Sequence, residues 1–349
     1  MAKTPVGILG ATGAVGQRFI QLLESHPWFE VAEVAASDRS AGKTYAEACT
    51  WRLPGTPPAS VAKLTVGSIA GPFRSKLLFS GLDSSVAGEA ESALAGKGHA
   101  VVSNSRNHRM DPDVPLLIPE INPDHLDAIA GQKRRTGGGY IVTNPNCSVV
   151  GLAMALAPLH QAFGVESVAV VTLQALSGAG YPGVASLDVA DNVIPYIGGG
   201  EEEKIESEPQ KILGTFSGGA FGPAPISISC SVHRVAVIDG HTMAIFVKLA
   251  RRAAPAEASR TLAEFRGEPQ RRELPTAPRQ PIHVLTANDR PQPRLDRDRE
   301  GGMAVSVGRV REDRQFDLRF EALVHNTIRG AAGAAILNGE LLQARGLLP

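Results

Sequence analysis

The sequence is short of cysteine, of net charge and of long apolar runs, and each shortage removes a class of protein. Its three cysteines, Cys49, Cys147 and Cys230, lie far apart, with no C-x-x-C pair. An odd, scattered set is neither a disulfide framework nor a zinc ribbon, and it suits a reducing compartment. Cys230 and His233 have a metal-like spacing, but opposite parity on a strand puts them on opposite faces, so no metal site is expected. Lys and Arg total 35 against 35 Asp and Glu. That balance argues against a nucleic-acid binder, which usually carries a basic surplus, and gives no support for electrostatic membrane binding. No stretch of about 18 apolar residues exists to span a bilayer. The start, "MAKTPVGILGATGAVG", lacks the long apolar core of a signal peptide. There is no internal repeat. A soluble, cytoplasmic protein is expected.

What is present is ordinary globular material. The 349 residues, 43% hydrophobic and 20% charged, are enough for about two domains. Up to residue 148, short apolar runs alternate with helical pieces. "PVGILGA", "FEVAEVAAS", "KLLFSGL" and "HAVVSNS" read as strands, and "GQRFIQLLESHP" and "VAGEAESALAGKG" as helices. This β-α-β alternation predicts a parallel sheet covered by helices. Further on the strands become longer and β-branched: "ESVAVVTLQAL", "ISISCSVHRVAVI", "HTMAIFVKLA", "GMAVSVGRVRED" and "QFDLRFEALV". They predict an antiparallel sheet, with Asp239-Gly240 as a hairpin turn. Segment 251–300 reads as a surface helix and then an extended loop. "NTIRGAAGAAILNGELLQARG" reads as a terminal helix.

Three stretches carry chemistry. "GILGATGAVGQRF" spaces Gly10, Gly13 and Gly16 between a strand and a helix. Such a loop lets the backbone approach a pyrophosphate and offers it a helix N-terminus, so Gly10, Thr12, Gly13, Ala14 and Val15 are candidate dinucleotide contacts. At the end of the second strand, Asp38 stands where an NAD enzyme places its ribose-binding acid. Arg39, flanked by Ser37 and Ser40, suits a 2′-phosphate, so NADP is the favoured cofactor. Lys43 alone reads as a solvated charge. "VVSNSRNHRMDPDVPLLIPEIN" puts Asn104, Arg106 and Arg109 in a turn at the C-terminal edge of the parallel sheet, where an arginine can clamp a phosphate or carboxylate.

"YIVTNPNCSVVGL" sets Cys147 where a strand has stopped and a helix begins. A helix N-terminus favours a thiolate, as a nucleophile requires. Position alone leaves a second reading open, a buried cysteine in a capping turn. "LQALSGAGYPG" lacks the hydrolase nucleophile elbow, so Ser177 is not read as a nucleophile. The acids of "GGGEEEKIESEPQKIL" read as the exposed start of a helix. If Asp239-Gly240 is a two-residue turn, Arg234 and His241 share a sheet face about four positions, or ~13 Å, apart.

These motifs together, over nearly the whole chain, resemble the aspartate-semialdehyde dehydrogenases, most closely the archaeal and fungal-type branch. "GATGAVG", "ASDRSAGK", "NPNCS", "QALSGAGYPG", "HRVAVIDGHT", "RPQPRLDRD" and "NTIRGAAG" carry the resemblance. It implies an α/β chain with a Rossmann-type NADP-binding domain (1–148 and 326–349). A mixed α/β catalytic and dimerisation domain (149–325) with a large, mostly antiparallel sheet completes it. It implies Cys147 as the nucleophile that forms a thioester, His241 as general acid/base, and Gln174 orienting substrate or intermediate. Arg234 would bind the substrate's α-carboxylate and Glu201, or Glu202, its α-amino group. Arg109, with Asn104 and Lys204, would hold the phosphate. Asn326 would contact the nicotinamide carboxamide, with Ser177 and Gly178 also beside the cofactor. The implied reaction is NADPH-dependent reduction of 4-phospho-L-aspartate to L-aspartate 4-semialdehyde and phosphate, on the route to lysine, threonine and methionine, by a homodimer or homotetramer. A malonyl-CoA reductase or N-acetyl-glutamyl-phosphate reductase on the same scaffold, or a non-catalytic NADP-binding protein, are the rivals. The Arg234 and Glu201 pair disfavours malonyl, which has no α-amino group.

Overall fold

The computed structural model describes residues 2–349. Two sheets organise the chain. The first holds six parallel strands in the order β3-β2-β1-β4-β5-β6. These are β1 (Thr4–Leu9), β2 (Phe29–Ala36), β3 (Val66–Ser68), β4 (Leu77–Ser80), β5 (Ala100–Ser103) and β6 (Tyr140–Thr143). β1 and β4–β6 are buried along most or all of their length, as strands covered on both faces must be. Only β3, three residues long, escapes the sequence reading, because so short a run has no periodicity to detect.

The second sheet has seven strands in the order β13-β14-β15-β12-β7-β11-β8. They are β7 (Val165–Gln174), β8 (Ile194–Pro195), β11 (Ser227–Arg234), β12 (His241–Leu249), β13 (Ile282–Leu285), β14 (Val305–Glu312) and β15 (Leu318–Val324). A small hairpin, β9 (Thr215–Ser217) with β10 (Ala220–Gly222), stands apart. The large sheet is mostly antiparallel, with β7–β11 and β13–β14 parallel. β13 lies in the stretch read as an extended loop, a correction to that reading; the surface helix there spans Pro255–Glu264.

A second correction concerns Asp239-Gly240. It is not a hairpin turn, because β11 and β12 lie on opposite sides of β7. The connection crosses the end of β7 and bonds to it: Val235 N–H donates to the Gln174 carbonyl, Leu176 to Val237 and Ser177 to Ile238. In register, Arg234 sits beside Gln174, and Thr242 beside Leu173. The crossing therefore gathers Gln174, Arg234 and His241 at one end of the sheet, nearer than the hairpin geometry allowed.

The helix Cys147–Phe163 follows β6 and is buried along nearly its whole length, consistent with apolar residues on every face. It packs on β7, β12 and β15, and on the helix Glu201–Ile212. At the C-terminus the helix Gly333–Ala344 returns to the parallel sheet, where Ile336, Leu337, Leu341 and Leu342 join the core of Val6, Ile8, Leu77 and Phe79. A π turn, Ile328–Ala332, precedes it and packs on both the Cys147 helix and the helix Ala14–Leu23.

The glycine loop is dictated by close approach. Gly10 has φ +71°, and a Cβ on Gly16 would lie 2.2 Å from the Gly10 carbonyl oxygen and 2.6 Å from Ala11 Cα. Gly16→Ala should therefore push the helix off the loop, at a cost of roughly 1–3 kcal/mol. The expected readouts are a lower melting temperature and, in a fluorescence titration, about tenfold weaker NADPH binding. Wild-type values for both would show that the loop yields without penalty.

Candidate active site

Cys147 is the first residue of its helix. The cap before it, Asn146, accepts hydrogen bonds at Oδ1 from the amides of Ser148 (2.9 Å) and Val149 (3.3 Å). Cys147 Sγ lies 3.2 Å from His241 Nε2. The other ring nitrogen of His241 accepts a hydrogen bond from the Ala175 amide at 3.0 Å. An accepting Nδ1 carries no proton, so the neutral ring bears its proton on Nε2, pointing at sulfur. His241 is fully buried and Cys147 half-buried. Burial, helped by the Arg234 charge, pushes His241 down to about 3, so the ring is neutral at physiological pH.

Burial and the Glu201 carboxylate push the Cys147 thiol up to about 12, against the pull of Arg109, Lys204 and Arg234. This differs from the thiolate expected at a helix N-terminus. The dipole acts over one turn, whereas burial and a carboxylate act directly on the sulfur. The resting group is a thiol facing an imidazole N–H.

Glu201 is buried, not exposed as the acid run suggested, and it sits at the centre of a polar cluster. Its Oε1 accepts from Asn146 Nδ2 (2.9 Å) and Gln174 Nε2 (3.1 Å), and its Oε2 from Lys204 Nζ (2.7 Å). Burial opposes its ionisation, but Lys204, Asn146 and Gln174 outweigh that and hold the carboxyl below its usual range. Glu202 turns the other way and accepts the Val232 amide of β11 at 3.1 Å, so of the two acids Glu201 faces the site.

Arg234 Nη1 donates to the Ala175 carbonyl at 2.5 Å. A Cβ on Gly178 would lie 2.9 Å from Arg234 Nη1 and 3.0 Å from His241 Cε1, so these two side chains converge on one glycine. Asn326 ties the same region together: its Nδ2 donates to Ser177 Oγ and its Oδ1 accepts from the Gly240 amide, each at 2.8 Å. Arg109 is buried, donating Nη1 to Glu208 Oε1 and Nη2 to the Asn104 carbonyl, both at 2.9 Å. Arg106 lies further out and donates to the Gly199 carbonyl at 3.0 Å. Gly330, in the π turn, packs directly against Cys147.

The dinucleotide candidates form a second group at the C-terminal edge of the parallel sheet. Gly13 caps the helix Ala14–Leu23 with no side-chain bond to its amides, and Gly13 and Ala14 are exposed, with Thr12 and Val15 partly so. Uncapped amides beside glycines that admit no Cβ fit a pyrophosphate. Ser37, Asp38 and Arg39 are exposed just past β2, with Ser40 folded back by a bond from its amide to the Ser37 carbonyl.

Sequence reasoning overlooked Asn146, Glu208, Lys211 and Ala175. All four stand inside quoted motifs; the available signal was the helical spacing of Glu208 and Lys211 from Glu201 and the place of Asn146 as the cap before Cys147. Ala175 acts through its main chain, which residue type cannot announce.

If the Glu201 charge holds the thiol protonated, Glu201→Gln should let iodoacetamide alkylate Cys147 several-fold faster at about pH 8. Peptide mapping by mass spectrometry separates Cys147 from Cys49 and Cys230. An unchanged or slower rate would show that the carboxylate does not set the ionisation.

Known proteins share this whole frame. Residues 5–129 match the family model "Semialdehyde dehydrogenase, NAD binding domain", and residues 156–329 match "Semialdehyde dehydrogenase, dimerisation domain". The aspartate-semialdehyde dehydrogenase of Methanothermobacter thermautotrophicus is 50% identical over 344 residues, covering 97% of this chain and 98% of its own length. That of Schizosaccharomyces pombe is 48% identical over 360 residues, with both chains covered in full. A crystal structure of the Candida albicans enzyme with NADP superposes with a TM-score of 0.92 at 43% identity, covering 99% of this chain and 100% of that one. Fold, motifs and whole-length identity agree, and the chain belongs to the aspartate-semialdehyde dehydrogenase family.

Proposed function

We propose that this enzyme catalyses the NADPH-dependent reductive dephosphorylation of 4-phospho-L-aspartate to L-aspartate 4-semialdehyde, reversibly, in lysine, threonine and methionine biosynthesis. The observation that carries the reading is the 3.2 Å contact of Cys147 Sγ with His241 Nε2 at a helix N-terminus, surrounded by Arg109, Arg234, Glu201 and Lys204.

Charge complementarity sets the substrate's orientation. Arg234 takes the α-carboxylate and Glu201 the α-amino group, while Arg109, Lys204 and Asn104 take the phosphate. An ammonium arriving at Glu201 also offsets the negative charge that raises the thiol's pKa, so the correct substrate favours the thiolate it needs. The sulfur attacks the acyl carbon; the new C–S bond forms as the C–O bond to phosphate breaks, and phosphate leaves with that electron pair and with the thiol's proton, as hydrogen phosphate. The Nε2–H of His241 stabilises negative charge on sulfur as attack begins and again when sulfur departs, with Gln174 steadying the bound acyl group. NADP, held by Gly10, Thr12, Gly13, Ala14 and Val15 at its pyrophosphate, by Ser37, Arg39 and Ser40 at its 2′-phosphate, and by Ser177, Gly178 and Asn326 at its nicotinamide, supplies the hydride when reduced.

The dinucleotide-binding domain comprises residues 1–148 and 326–349, and the catalytic and dimerisation domain residues 149–325. The enzyme works in the cytoplasm as a homodimer or homotetramer. Among the described residues, no helix is long and apolar enough to cross a membrane.

The decisive assay follows reduced-nicotinamide absorbance with L-aspartate 4-semialdehyde and phosphate. Phosphate-dependent formation of NADPH is expected, lost in Cys147→Ser while NADPH affinity stays within a few-fold. Turnover without phosphate, or full activity in Cys147→Ser, would overturn the thioester route. Arg39→Ala should weaken NADPH at least tenfold more than NADH; equal loss for both removes the 2′-phosphate role.

A further inference from the structure

The helix Glu201–Ile212 presents four charged residues along one stripe: Glu201, Lys204, Glu208 and Lys211. Their spacing of three, four and three places them on a single face. The first two meet the substrate in the reading above. The other two contact no reacting atom, yet Glu208 is 1% exposed and Lys211 6% exposed. Burying charge is costly unless it is paired, so the partners reveal the task.

Glu208 spans two parts of the site. Its Oε1 accepts from Arg109 Nη1 at 2.9 Å, and its Oε2 accepts from the main-chain amide of Asn146, the residue before Cys147, at 2.7 Å. Lys211 sits one turn further along. Its Nζ donates to the carbonyls of Arg109, Asp111 and Val114, each at 2.8 Å, sealing the arginine's own loop to the same helix. The guanidinium is thus held by its Nη groups, while its Nε–H is buried with no acceptor. Asn146 is gripped twice by this helix, its amide by Glu208 and its side chain by Glu201.

We propose that Glu208 is a positioning residue that locks the phosphate clamp Arg109 in register with the nucleophile Cys147, one carboxylate oxygen on each. Both oxygens must accept, since both partners are donors. Glutamine has one accepting oxygen, so its amide N–H₂ would face either Arg109 Nη1 or the Asn146 N–H, donor against donor. The proposal rests on the reading of Arg109 as the phosphate ligand.

The test measures steady-state kinetics in the oxidative direction with phosphate varied, on Glu208→Gln, Glu208→Asp and Arg109→Lys. Glu208→Gln should raise the KM for phosphate tenfold or more, with KM for NADP and aldehyde within about twofold. Glu208→Asp, which keeps two accepting oxygens on a shorter stem, should recover part of that loss. A folded Glu208→Gln with wild-type KM for phosphate, or with all three KM values raised alike, overturns the proposal. If Glu208→Gln does not fold, Glu208→Asp carries the test: a KM for phosphate raised at least threefold supports it, and an unchanged one overturns it. Arg109→Lys separates the two readings. An unchanged phosphate KM there sinks the role of Arg109 itself. A raised value there beside normal Glu208 variants sinks only the role of Glu208.

Discussion

The active site depends on how firmly the N-terminus of the Cys147 helix is held, and Asn146 is where it is held. Its side chain caps the helix by accepting two amides, its Nδ2 binds Glu201, and its own amide binds Glu208. Gly330 presses on Cys147 from the π turn, where any Cβ would meet the cysteine at 2.9 Å. That turn is itself anchored by Arg329, fully buried and paired in a bidentate way with Glu120 at 2.8 and 2.7 Å. Removing one partner of such a pair leaves an uncompensated buried charge, typically worth about 3–5 kcal/mol. Cys147 is therefore fixed from both sides, the kind of positioning that orientation-dependent chemistry demands.

Fixed this tightly, Cys147 is half-buried, and its surroundings penalise the thiolate that the proposed thioester route needs. The site answers with an unequal set of charges. Arg109, Lys204 and Arg234 favour ionisation, and Glu201 opposes it. The imidazole contributes a hydrogen bond and no charge, because burial and Arg234 keep it neutral while the Ala175 amide occupies Nδ1. In the proposed substrate orientation, reactivity is conditional: the charges that the substrate brings decide whether the thiol ionises.

The parallel sheet was legible because its strands are short apolar runs separated by amphipathic helices, a pattern that survives any tertiary context. Five strands of the second sheet, β7, β11, β12, β14 and β15, were legible as longer β-branched runs, but their neighbours were not. Asp239-Gly240 has the composition of a hairpin turn, yet β7 lies between the strands it joins. A strand's side chains state which face is buried; they say little about which strand supplies its ladder partners. β13 was missed because four residues in an Arg- and Pro-rich stretch carry too weak an alternation to detect.

By itself the sequence determined the local pieces: a glycine loop opening a helix, a cysteine opening another, and arginines in a turn at the edge of the parallel sheet. Residue type and local spacing decide those; that the histidine, the glutamine and the paired charges serve an acyl phosphate is implied by the resemblance of the whole set of motifs to a known family. The tertiary structure alone decided how they act together. It turned Glu201 inward and Glu202 outward, buried Arg109 against Glu208, and set the proton of His241 on the nitrogen facing sulfur. It also made the thiol reluctant to ionise. Burial and the direction of a hydrogen bond belong to packing between segments far apart in the chain, so no local pattern could carry them.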